Sequence, residues 1–114
     1  MKTVLVVGRG WRFRSLLRAQ LFEEGFDARG FESLEQAAGK MAETPPPAVV
    51  FDTAEAASAE LAQLPALSVR LPLLVVASAG ESLPLSDACV LHRPLQISQL
   101  IEALKNRLHR VQPP

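Results

Sequence analysis

The sequence predicts a single α/β domain built on a five-stranded parallel sheet with helices on both faces. Three observations carry this. Short continuous apolar runs alternate with stretches of helical periodicity, as strands buried on both faces alternate with their crossover helices. The chain has 114 residues, enough for one domain to bury a core without disulfides or metal. Hydrophobic residues make up 48% and charged residues 21%, the balance of a globular chain rather than a disordered or fibrous one.

The first strand is Thr3–Val7, an apolar run that ends at Gly8. Phe13, Leu16, Leu17 and Leu21 follow at helical spacing and predict a first helix, with Gly25 as its C-terminal cap residue. Residues 28–31 read as a short second strand. Ser33 and Gln36 form a capping-box pattern that opens a second helix, its inward face read as Leu34, Ala37, Ala38 and Met41 and its stability reduced by Gly39. Pro45, Pro46 and Pro47 cannot continue that helix and lead stiffly into a third strand at 48–51, a rigid turn rather than a polyproline ligand. A third helix is expected over 54–64, a fourth strand over Leu73–Ala77 and a fifth over Cys89–His92. Between the last two strands, Gly80, Pro84 and a shortage of helical repeats predict a fourth helix that is shortened, irregular or absent. Ile97, Leu100, Ile101, Leu104 and Leu108 form one stripe of a final helix, with Glu102, Lys105, Asn106 and Arg107 outward. The domain is expected over 1–111, with 112–114 as a disordered tail.

Charge and cysteine content narrow the function classes. Twelve basic residues balance twelve acidic ones, so no global field favours nucleic acid or an anionic membrane. The lone Cys89 cannot form an internal disulfide; it reads as a structural thiol in a reducing compartment. The first apolar run is too short for a signal peptide or membrane span, and a cytoplasmic location is expected. Arg9, Arg12, Arg14 and Arg18 crowd the first helix, where a solvated face outweighs an acidic or nucleic-acid partner. Gly8-Arg9-Gly10 follows a strand as a nucleotide-binding loop does, but it lacks the third glycine and any lysine–serine pair. A small-ligand domain using residues 8–12 is therefore a distant reading, to be tested by ligand-dependent melting. His92 and His109 are isolated, with no spacing for metal ligation or a catalytic dyad. No cofactor, metal or enzymatic activity is expected.

Val4-Leu5-Val6-Val7, then Arg14, Leu17 and Gly25-Phe26, stand at the spacing of the first strand and helix of a response-regulator receiver domain. Ala48-Val49-Val50-Phe51-Asp52 resembles the receiver strand that ends in the phosphoacceptor aspartate. The run from Pro72 to Val76 resembles its fourth strand, and His92-Arg93-Pro94-Leu95 its lysine–proline signature before the last helix. The resemblance runs nearly end to end, and the order of the motifs carries more than any one of them. It implies a flavodoxin-like doubly wound sheet of order 2-1-3-4-5, with chemistry at the C-terminal ends of the strands.

The same resemblance marks what is missing. Receivers hold magnesium with an acidic pair after the first strand plus the phosphoacceptor, because this hard ion demands carboxylate oxygens. Gly8 and Arg9 stand at the acidic pair. The hydroxyl at the end of the fourth strand becomes Ala77, with Ser78 one residue out of register. The aromatic switch position becomes Val90 and the lysine becomes Arg93, whose planar head is not interchangeable with an ammonium. Losing one preorganised contact of this kind commonly costs about 10² to 10³ in rate.

Asp52, the phosphoacceptor equivalent, then has two readings of equal weight: Arg9 pairs with it across the strand ends, or it caps the following helix. Trp11, beside the former metal pocket, is either an interface anchor or a lid over that pocket. Together these readings define a pseudo-receiver that works as a phosphorylation-independent protein-interaction module, with Trp11 and Arg12 as candidate partner-binding residues. A homodimer would use a non-standard surface, because the region between the fourth and fifth strands is too short for the usual one. The alternative is a working response regulator phosphorylated on Asp52.

Overall fold

The computed structural model describes residues 2–86 and 88–111. The expected tail at 112–114 lies outside the described residues. Five strands, β1 (Thr3–Val7), β2 (Asp27–Phe31), β3 (Ala48–Asp52), β4 (Leu73–Ala77) and β5 (Cys89–His92), form one parallel sheet of order β2-β1-β3-β4-β5. The parallel sheet predicted from the apolar runs is the one observed, in the strand order that the resemblance implied.

Strand alternation divides the core between the two faces. Val4, Val6, Ala28, Ala48, Val50, Leu74 and Val76 pack on one side against helices α1 (Trp11–Glu23) and α5 (Ile97–Val111) through Leu17, Leu21, Leu100, Leu104 and Leu108. Leu5, Val7, Val49, Phe51, Leu73 and Val75 face the other side. There they meet α2 (Leu34–Met41), α3 (Ser58–Leu61) and α4 (Leu64–Arg70), chiefly through Leu34, Ala37, Leu64 and Leu67. The helices are short, and burial of their sheet-facing residues supplies the stability their length cannot.

Local signals set most boundaries. The Ser33 Oγ accepts the Gln36 N–H at 3.2 Å and the Gln36 side chain accepts the Glu32 N–H at 3.0 Å, closing α2 at its start. Gly25 follows α1 at φ +91°, a conformation that glycine adopts without a Cβ penalty. Two expectations need correction. Ala38 lies on the exposed side of α2, whereas Leu34 and Ala37 are buried. The third helix does not span 54–64: the chain turns through Glu55 at φ 60°, makes one helical turn at α3, and restarts at α4 with Pro65 in its first turn. Between β4 and β5 no helix is found among the described residues. An extended strap carries Leu83 and Leu85 onto the sheet face instead.

Candidate functional site

The C-terminal ends of β1, β3 and β4 bring three loops together. Asp52 continues the alternation of Ala48 and Val50, so its side chain turns toward the α1 and α5 side and is only 3% exposed. A buried carboxylate must be compensated. Arg93, which leads from β5 toward α5, meets it with two parallel bonds, Nη1 to Oδ1 at 2.8 Å and Nη2 to Oδ2 at 3.1 Å. This fork is the strong form of a charge-assisted pair. The Arg93 guanidinium also lies 4.8 Å from the centre of the Phe13 ring on α1, which holds its plane from below. Asp52 Oδ1 additionally accepts the Ala54 N–H at 3.0 Å, closing an Asx-type turn rather than capping a helix.

Arg9 is not the partner of Asp52. Its Nη1 bonds Glu60 Oε1 at 2.6 Å and the Glu32 carbonyl at 3.0 Å, while the second Glu60 oxygen accepts the Leu34 N–H at the start of α2. Glu60 is buried. It therefore ties the loop after β1, the N-terminus of α2 and the α3 turn into one network on the opposite side from Asp52. The sequence reading missed Glu60, whose only signal was an acid in an alanine-rich stretch.

Gly8 closes the site from above. A Cβ built there would fall 2.8 Å from the Asp52 Cβ, a separation that real side chains do not tolerate. Its carbonyl accepts Arg14 Nη1 at 2.6 Å, and its N–H donates to the Phe31 carbonyl at 3.0 Å. The stems of Arg14 and Arg18 lie against Gly30, and Arg18 Nε donates to the Ala28 carbonyl at 3.3 Å. Two of the four arginines read as a solvated face thus staple α1 to β2 and to the loop after β1.

The remaining predicted positions lie as follows. Ala77 ends β4, fully buried and paired in register with His92, and its carbonyl accepts the Arg93 N–H at 2.9 Å. Ser78 is exposed beyond the strand, with its N–H bonded to Glu81 Oε1. Val90 packs from β5 onto the α2-side core and is half-buried. Trp11 is 63% exposed, with the Arg12 guanidinium 5.6 Å from its ring centre, so it does not cover the Asp52 pocket. Cys89 is a half-buried free thiol. No group of three or more His, Cys, Asp or Glu side chains among the described residues is placed to hold a metal. Among the described residues no helix is long and apolar enough to cross a membrane.

By sequence, the chain matches no family model and no curated protein. By structure, it is similar to receiver domains across nearly its full length. The beryllofluoride-activated NtrC4 receiver domain dimer superposes with a TM-score of 0.79 at 20% identity, covering 98% of this chain and 100% of that one. A two-component response regulator from Clostridium difficile gives 0.77 at 15% identity over 99% and 100%. The signal receiver domain of a signal transduction histidine kinase from Syntrophus aciditrophicus gives 0.75 at 18% identity over 100% and 95%. The chain therefore has the fold of response-regulator receiver domains.

Proposed function

We propose that this chain is a pseudo-receiver, a non-enzymatic cytoplasmic module that binds a protein partner in a signalling assembly without being phosphorylated. The observation that carries this reading is the Arg93 fork, which engages both oxygens of Asp52. A carboxylate so held has neither oxygen free to attack a phosphoryl group, and the cation it needs for charge balance is already covalently part of the chain.

The donor set does not suit magnesium, the metal of the receivers this chain resembles. Of the three positions that should offer carboxylates, only Asp52 does, and the neighbouring Arg9 is committed to Glu60. A carboxylate at position 8 would not enter the present backbone, because its Cβ already collides with Asp52. Ala77 offers no hydroxyl to a phosphoryl group. The interaction surface is then constitutive, with the exposed Trp11 and Arg12 as its first candidates.

Titration with beryllofluoride and Mg²⁺, followed by amide chemical shifts, tests the reading. The expected outcome is no saturable shift around Asp52. A saturable response of residues 8–10, 52–54 and 78, or a stable acyl phosphate on Asp52, would establish the competing reading of a phosphorylated response regulator.

A further inference from the structure

Among the described residues, three of the four large exposed hydrophobic side chains belong to one helix: Trp11 at 63%, Leu16 at 62% and Phe22 at 54% exposure, all on α1. Trp11 and Phe22 stand about three turns apart and so lie on nearly the same line of the helix surface. Between them, on the same outward face, are the small exposed residues Ser15 and Ala19, with Leu16 on the flank. Arg12 and Glu23 repeat the same spacing one position further along. Both are exposed, and neither makes an ion pair among the described residues.

We propose that this face binds a second copy of the same chain, two α1 helices crossing antiparallel about a twofold axis near Ser15 and Ala19. A twofold interface must be complementary to itself: if one residue meets another, the reverse contact is made as well. The face satisfies this condition. Antiparallel crossing sets Trp11 against Phe22 of the second copy, and Arg12 against Glu23 of the second copy, twice each. The small side chains at the crossing let the helix axes approach, while the aromatic ends fill the space where they diverge. A foreign partner would require no such repetition of size and charge at opposite ends of one helix.

The helix is about 20 Å long, so the patch falls short of the roughly 800 Å² per partner of stable complexes. The dimer is accordingly reversible and concentration-dependent. It rests on reading the chain as an interaction module, but not on the loss of phosphoacceptance, and the two can fail separately. A monomer that ignores beryllofluoride sinks only the dimer, and a dimer that takes up beryllofluoride sinks only the earlier reading.

Sedimentation of the full chain from low micromolar to near-millimolar concentration tests the proposal, with fluorescence of Trp11, the one tryptophan, as a local probe. The expected result is a reversible monomer–dimer equilibrium with a blue shift of emission on association. Arg12→Glu and Glu23→Arg each weaken it by about tenfold or more, since each reverses both ion pairs. An equimolar mixture of the two variants restores association, because the mixed dimer sets glutamate against arginine at both ends. Both sites are exposed, so unchanged circular dichroism of each variant shows that the fold is kept. A monomer at every concentration, association unaffected by either reversal, or a mixture no stronger than its components would each overturn the proposal.

Discussion

Asp52 shows how burial dictates partnership. The carboxylate is almost wholly withdrawn from water, whereas Arg93 keeps about a third of its side chain exposed. Removing either partner is therefore not symmetric. Arg93→Ala leaves a buried charge with only the Ala54 N–H for company and is expected to cost about 1–3 kcal/mol. Asp52→Asn should cost less, because the amide oxygen still accepts that N–H and Arg93 turns to solvent. Urea denaturation of both single variants and the double variant measures the coupling; equal costs for the two would show that the pair is solvated rather than buried. That Asp52 stands at a strand end was legible in the sequence. Its partner was not, because Arg9 and Arg93 both follow strands that end at this pocket. The choice was made by Glu60, a buried acid that captures Arg9 from the opposite side of the sheet.

The loops and the strap carry the next level of organisation. Thr53 Oγ1 donates to Glu81 Oε1 at 2.7 Å, Ser78 N–H donates to the same oxygen at 2.9 Å, and His92 Nε2 donates to the Glu81 carbonyl at 2.7 Å. One residue thus joins the ends of β3, β4 and β5 at the start of the strap that stands between β4 and β5. The Ser78 N–H, and after it the Thr53 hydroxyl, hold the Glu81 carboxyl below its ordinary value of 4.5. A depressed acid stabilises the folded state above its unfolded value and loses that contribution as pH falls through its folded one. The join is therefore intact at neutral pH and loosens in the acid range below 4.5. A carboxyl NMR titration should place the Glu81 midpoint below that value, and Thr53→Val should move it partway back. A Glu81 midpoint at or above 4.5 in the native protein would refute the join. That no regular helix stands here was legible from Gly80, Pro84 and the shortage of helical repeats, but the Glu81 bonds were not, because periodicity says nothing of a strap's polar contacts. The misplaced third helix has a similar origin: alanine-rich composition favours helix, but the turn at Glu55 and the restart at Pro65 are backbone events.

At the scale of the molecule, the sheet separates two apolar layers, and the strand runs that form it were visible because a parallel sheet buries both faces. Leu17 and Leu16 are neighbours in sequence on α1, yet one is fully buried and the other largely exposed. Leu17→Ala is expected to cost about 2–5 kcal/mol, and Leu16→Ala to change stability by no more than about 0.5 kcal/mol. Chemical denaturation followed by far-ultraviolet circular dichroism separates the two cases, and similar losses would mean that α1 is rotated from the position described. Strand order came from likeness to receivers rather than from composition, and the same likeness drew attention to Gly8 and Arg9, which stand where an acidic pair was expected. What it did not reveal is how tightly the backbone at Gly8 packs against Asp52. With no side chain at position 8, backbone and Asp52 close to a distance at which any Cβ would overlap. An acid introduced at 8 would find its volume already taken, so the main chain must retreat before a second carboxylate can stand beside Asp52.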